Sequence, residues 1–292
     1  NGNFLFGYGI SLSDDGLVFV SGGPPAKVYS WNGGQWVQRG DDLSPPEDWF
    51  TFTSINADGS IIALGVGTST DTNQVAFVYQ WDGSSWQQMG SPIEGRNQAH
   101  LSLSANGLVL AVAANFLGSY QVKVYDWTNN AWVRRGDNIE QGFAGRFTVS
   151  LSANGSVLAL SNPDGLVKVY DWDSTGSGSW TIRSNTPQGF ISVSLSGDGS
   201  LLALGTVNSN SNAALVYQWS QHSWQQRGAT IESKVAGETH VSLSNNGGVL
   251  IVGEPLYDSK KGQARIYEWS NDTWVQLGDD INGKSVNSEL GG

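Results

Sequence analysis

An all-β fold built from six copies of one four-stranded unit is what the sequence predicts, and three observations carry the prediction. A cluster typified by "VKVYDWTNNAW" (122–132) occurs six times and holds twelve of the thirteen tryptophans and six of the nine tyrosines. Glycines closing an Asp-Gly or Asn-Gly pair, or its counterpart, fall at Gly16, Gly59, Gly107, Gly155, Gly199 and Gly247, at intervals of 43, 48, 48, 44 and 48 residues. No stretch carries a sustained helical period, whereas β-branched and aromatic residues recur at strand-like spacing. Four strands in a unit of about 45 residues mark a propeller blade, and six units predict a six-bladed β-propeller.

The third copy shows the elements in order. "HLSLS" (100–104) is the first strand, an Asn-Gly turn follows, and "LVLAVAA" (108–114) is the second strand. The dipeptide predicts a two-residue primed hairpin, which requires positive φ at both central residues. After a variable loop come "VKVYDW", a four-residue connection and "WVRRGD". Blades are expected near 1–44, 45–93, 94–139, 140–187, 188–231 and 232–281, in one domain spanning 1–292 with a tail at 282–292. Tyr125 and Trp127 share one strand face, and Trp132 returns across the turn. The paired tryptophans are therefore expected to be buried between blades. Serines at 11, 54, 102, 150, 194 and 242 occupy the crowded innermost strands as small packing residues. Arg39, Arg134, Arg135, Arg183 and Arg227 lie on outer strands, where charge discourages edge-to-edge pairing.

Composition bounds function. The net charge of −11 argues against nucleic acid and anionic membrane surfaces, and no apolar run is long enough for a membrane span. The absence of cysteine excludes disulfides, thiolate metal sites and cysteine nucleophiles. The chain opens at Asn1 without a signal-peptide pattern, as a processed or trimmed chain would.

"VSLSANGSVLAL…VKVYDW" resembles WD-type propeller repeats, and "FGYGISLSDDGLVFVSGGP" resembles the FG-GAP repeats of integrin-like propellers. The composite unit is similar to repeats of secreted and surface proteins of bacteria and algae. The resemblance implies a propeller and leaves function open, because that fold hosts scaffolds, lectins and hydrolases alike. FG-GAP calcium loops alternate aspartates, but "GVGTSTDTNQ", "GTVNSNSNAA" and "GEPLYDSKKG" hold at most one carboxylate each within the loop proper, so no calcium or other cofactor is expected.

The second turns and interblade links vary in length and content, and function concentrates on such irregular loops. The candidates for ligand binding there are Trp49, Arg96, His100, Arg146, Glu238, His240, Glu254 and Tyr257. Trp49, the one tryptophan outside the repeat, either anchors its link or stacks on a ligand. Arg96 and Arg146 could grip a carboxylate or sulfate together, or pair with Glu94 and Glu140 on the same links. His100 and His240 are equivalent positions of blades three and six, too far apart to share a metal, so each is expected to make a local hydrogen bond. "GDDINGKS" (278–285) fits a phosphate-loop pattern, yet it follows an outer strand and matches the links "GDDLSPPE" and "GDNIEQGF", so it is read as a link. No hydrolase or metalloprotease motif is present, and the sialidase aspartate box is not matched.

The expectation is a non-enzymatic, extracellular or surface scaffold that binds a protein or glycan through the variable-loop face. The alternatives are a glycan-binding lectin, a self-assembling subunit of an extracellular filament, and a glycoside hydrolase. Asn271 and Asn154 head glycosylation sequons, with Asn271 the freer of the two. The tail is expected either to strap the first blade or to reach a second copy head to tail.

Overall fold

A computed structural model describes residues 9–44, 50–67, 74–116, 118–139, 147–183, 186–206 and 213–284, with backbone alone at 50, 51, 97 and 98. The chain folds as six consecutive antiparallel sheets of four strands in sequential order, the blades of a six-bladed β-propeller. Helix among the described residues is confined to Tyr257–Lys260. Contacts group the chain into two compact units. One comprises residues 1–149 with 173–180, and the other 150–172 with 181–292.

Blade three shows the unit at full length: Arg96–Leu103, Val109–Phe116, Ser119–Thr128 and Ala131–Arg134. Its second strand is almost wholly buried, reading Val-Leu-Ala-Val-Ala-Ala. A strand covered on both faces needs apolar residues at every position, with alanines wherever a neighbouring strand comes close. The expected two-residue primed turn at Asn106-Gly107 does not form. Gly107 alone has positive φ (71°), and residues 104–108 make a longer loop. Ser104 organises it: its Oγ accepts from Val109 N at 2.9 Å and donates to the Asn106 carboxamide at 2.8 Å. The primed geometry lies instead in the last hairpin, at Asn129-Asn130, Gln221-His222 and Asn271-Asp272, where both central residues have positive φ. Asn and Asp tolerate that region through local hydrogen bonds.

The outer strand is made in two pieces. In blade two Trp86–Gln88 pairs with one end of Gln74–Trp81, and Ile93–Glu94 from the link pairs with the other. Blades five and six repeat this with Ile231–Glu232 and Ile281–Asn282. The stretch matching the phosphate-loop pattern therefore supplies an edge strand of blade six, as its likeness to the links implied.

The tryptophans depart from expectation. Among the described tryptophans only Trp224 is buried; Trp81, Trp86, Trp127, Trp132, Trp172, Trp180, Trp219, Trp269 and Trp274 are half-buried, and Trp31 and Trp36 are 39% and 41% exposed. The core clusters are built mainly from apolar residues of the second and third strands, joined by first-strand residues such as Leu101, Leu103 and Leu195 and by Trp224, and partly buried indoles pack against them.

Candidate functional site

The described variable-loop candidates fall in both units, Arg96 and His100 in the first and Glu238, His240, Glu254 and Tyr257 in the second. Trp49 and Arg146 lie outside the described residues, so the expected Arg96–Arg146 grip has only Arg96 placed, exposed at the start of its strand opposite Asn115. His100 stacks on Phe52, with ring centroids 3.5 Å apart. His240 lies 3.5 Å from Glu238. Tyr257 opens a short turn in which Asp258, Ser259 and Lys260 all take left-handed φ, tied by the Lys261–Asp258 ion pair at 2.7 Å.

Glu254 is not a surface ligand. It is fully buried, its Oε1 accepting from Arg265 at 3.0 Å and from the Lys234 backbone N–H at 2.8 Å. Arg265 also donates to the Tyr267 hydroxyl and the Glu232 carbonyl. A buried carboxylate demands a paired cation, and the repeat supplies one on the adjacent strand. Glu254 Oε2, Gln263 Oε1 and Arg265 Nε remain without hydrogen-bond partners.

The sequence's repetition has its structural meaning in the contact between consecutive blades. In the first unit Ser11 Oγ accepts from Ile55 N (3.2 Å) and Ser54 Oγ from Leu103 N (2.9 Å). In the second unit Ser150 and Ser194 accept likewise from Leu195 N (3.0 Å) and Leu243 N (2.9 Å). These serines are hydrogen-bond acceptors as well as small residues. Further out, four indoles reach back one blade: Trp86 donates to Arg39 O, Trp132 to Met89 O, Trp180 to Arg135 O and Trp274 to Arg227 O, at 2.7–3.2 Å.

Most of the arginines assigned to edge protection belong to the same contact. Arg39, Arg183 and Arg227 place their guanidinium carbons 4.9, 5.1 and 4.3 Å from the ring centroids of Trp81, Trp219 and Trp269 in the following blade. That is cation–π distance. Burial pushes the Arg39 and Arg227 guanidinium groups below their ordinary pKa, and nearby aspartates partly offset this. Arg134 is the exception and packs within its own blade over Tyr125 at 5.5 Å. The glycine ending each cluster allows the approach. A Cβ on Gly40, Gly90 or Gly228 would stand 2.7–2.8 Å from the next blade's tryptophan.

Within its own unit, the first blade and the sixth each have one face with no neighbouring blade among the described residues. On the first blade Ile10 is 66% exposed and Leu12 54%, whereas its counterparts Ile55, Leu103, Leu151, Leu195 and Leu243 are all buried. A Cβ on Gly16 would meet nothing, although at Gly59, Gly107, Gly199 and Gly247 it would strike Val18, Ile61, Val157 and Leu201 of the preceding blade. On the sixth blade Ser242 is exposed, Ile251 and Leu277 are 43% and 53% exposed, and a Cβ on Gly278 would meet no atom. The first blade's outer face, in one unit, and the sixth blade's, in the other, are thus more exposed than the corresponding faces of the inner blades. Sequence reasoning passed over Leu12, Ser242 and Gly278, because each obeys the repeat perfectly; only their place in the first and last copies sets them apart. No protein-family model and no curated protein matches this sequence.

Proposed function

We propose that this chain is a non-enzymatic binding scaffold whose principal partner is another copy of itself, joined first blade to sixth in a head-to-tail array. One observation carries the proposal: the exposed faces of the first and sixth blades, each taken in its own unit, are complementary halves of the contact repeated between neighbouring blades. Leu12 and the Trp31–Trp36 pair match the half that receives, and Ser242, Ile251 and Gly278 the half that covers. Apolar surface of this kind is stabilised by removal from water at roughly 25 cal/mol per Å². A heterologous contact of this sort propagates into fibres or closes into rings, according to its rotation.

A scaffold role, rather than hydrolysis, is supported by the fate of two candidate acids, Glu254 being ion-paired in the interior and Glu238 beside His240. An extracellular setting is favoured by the exposed sequon at Asn271, on a two-residue turn tip. Asn154 is less available, since its carboxamide oxygen accepts from Ser152 and Ser156. The unit resembles WD-type and FG-GAP propeller repeats in pattern.

Light scattering over a range of concentrations, with electron microscopy of the same samples, tests the proposal. Wild-type chains are expected to grow into oligomers of regular spacing, and Leu12→Asp to remain monomeric with unchanged circular dichroism. A wild type that stays monomeric at every concentration overturns it.

A further inference from the structure

A second surface, within the first unit, has the makings of a ligand seat. A cavity of about 510 Å³ opens between the link after blade two and the outer strands of blade three. That volume is in the range of small-molecule and sugar sites. Pro92 and Glu94 stand on the link side; Lys123, Tyr125, Trp132 and Arg134 form the other. Trp132 is held by its hydrogen bond to Met89 O, and the Arg134 guanidinium packs over Tyr125 at 5.5 Å.

The charge in this cavity is unbalanced in a way that the repeat itself exposes. In blade one the lysine at the equivalent position, Lys27, pairs with Asp42 at 3.3 Å. In blade six the equivalent aspartate is Asp280, which binds Lys234. In blade three that position is Asn138, a neutral side chain that accepts from Arg134 Nη1 at 2.8 Å. Among the described residues neither Lys123 nor Arg134 makes an ion pair. Arg134 Nε is buried and without a partner, and Lys123 Nζ lies 3.7 Å from the centre of the Phe116 ring. Desolvation, followed by the charge of Arg134, pushes the Lys123 ammonium below its ordinary pKa. A protein with 26 acidic and 15 basic residues has gathered two cations against an aromatic wall, with one carboxylate, Glu94, in the lining and no ion pair to either cation among the described residues.

We propose that this cavity binds an acidic saccharide, with its carboxylate or sulfate between Lys123 and Arg134 and its ring against Trp132. Aromatic faces suit the C–H surfaces of a sugar ring, and the Lys123 ammonium, with the Arg134 charge beside it, suits its anionic substituent, although Arg134 already donates to Asn138 and to Gly136 O. Glu94 at the rim is placed to accept from sugar hydroxyls.

The probe is a hexuronic-acid oligosaccharide, titrated calorimetrically into the whole chain beside the neutral hexose oligosaccharide of the same linkage and an oligoglutamate peptide. Lys123→Gln and Asn138→Asp are the variants; the second restores the carboxylate that blades one and six possess, at almost no change in volume. The uronate is expected to bind in a salt-dependent manner, with each variant weakening it by about tenfold or more at unchanged melting temperature, the neutral sugar weaker still and the peptide inert. Equal binding of the neutral sugar or the peptide, an unaffected Asn138→Asp, or no uronate binding overturns the proposal. None of these outcomes bears on head-to-tail assembly, which uses other blades.

Discussion

Two glycines of the second unit make a matched pair for testing what the repeat contact contributes. Gly228 and Gly278 both have left-handed backbone, with φ of 79° and 73°. Alanine at either position costs about 1–2 kcal/mol for placing a Cβ in that region. Only at Gly228 does the new Cβ also collide, 2.7 Å from Trp269 and 3.0 Å from Trp274, where carbon contacts prefer about 3.5–4.0 Å. Forcing the indole pair outward adds an overpacking cost of about 1–3 kcal/mol. Gly228→Ala is therefore expected to lose about 2–5 kcal/mol and Gly278→Ala about 1–2 kcal/mol, measured by urea denaturation of dilute protein. At concentrations that permit the proposed assembly, Gly278→Ala is expected to suppress oligomers as well, because its Cβ enters the space that the proposed contact gives to an incoming tryptophan. Equal losses for the two variants in dilute solution would refute the reasoning, since Gly278 would then already face an indole in the monomer.

Further predictions follow from the polar contacts. Trp86→Phe gives up a 2.7 Å hydrogen bond to Arg39 O, whereas Trp224 Nε1 is buried without a partner, so Trp224→Phe should be less costly by about 1–3 kcal/mol in the same assay. Glu254→Gln leaves Arg265 as an uncompensated buried cation and should cost about 3–5 kcal/mol; Glu254→Leu combined with Arg265→Met should cost less than that single change. Burial pushes the Tyr79 hydroxyl up to about 12, so the unfolded chain ionises first and stability should fall as pH rises from about 10 to about 12; a melting temperature flat across that window would contradict this. On the acid side, hydrogen bonds led by Ser13 and Ser60 hold Asp15 and Asp58 below the ordinary carboxylate range. Their stabilisation is present above about pH 4 and lost as pH falls through their folded values, visible as a declining melting temperature.

The fold was legible because a repeat supplies the same statement six times. Strand order, blade number and the link-like character of 278–284 could all be read from spacing, since alternation and turn residues are local properties. Asn106-Gly107 misled, because the dipeptide fits a primed hairpin; the Ser104 hydroxyl, through its bonds to Val109 and Asn106, holds a longer loop instead. The arginines misled for a related reason. On an outer strand a cation looks like edge protection, and nothing in one blade's sequence reveals that Arg227 lies over Trp269 some forty residues onward. Glu254 resembled a surface ligand until Arg265, eleven positions later, proved to lie against it. The proposed self-association surface was hardest to see, because it is marked only by exposure at Leu12 and around Gly278 in the first and last copies, and exposure has no residue code.

The central claim is tested most directly by a mixed cross-linking experiment, for which a chain without native cysteine is well suited. One copy carries Leu12→Cys, a second copy of different mass carries Ser242→Cys, and a short bis-maleimide joins thiols that lie close together. The account predicts a covalent product containing one copy of each mass, increasing with concentration and abolished by Gly278→Trp in the second copy. A single chain carrying both cysteines that links only to itself, at every concentration and with no mixed product, would contradict it.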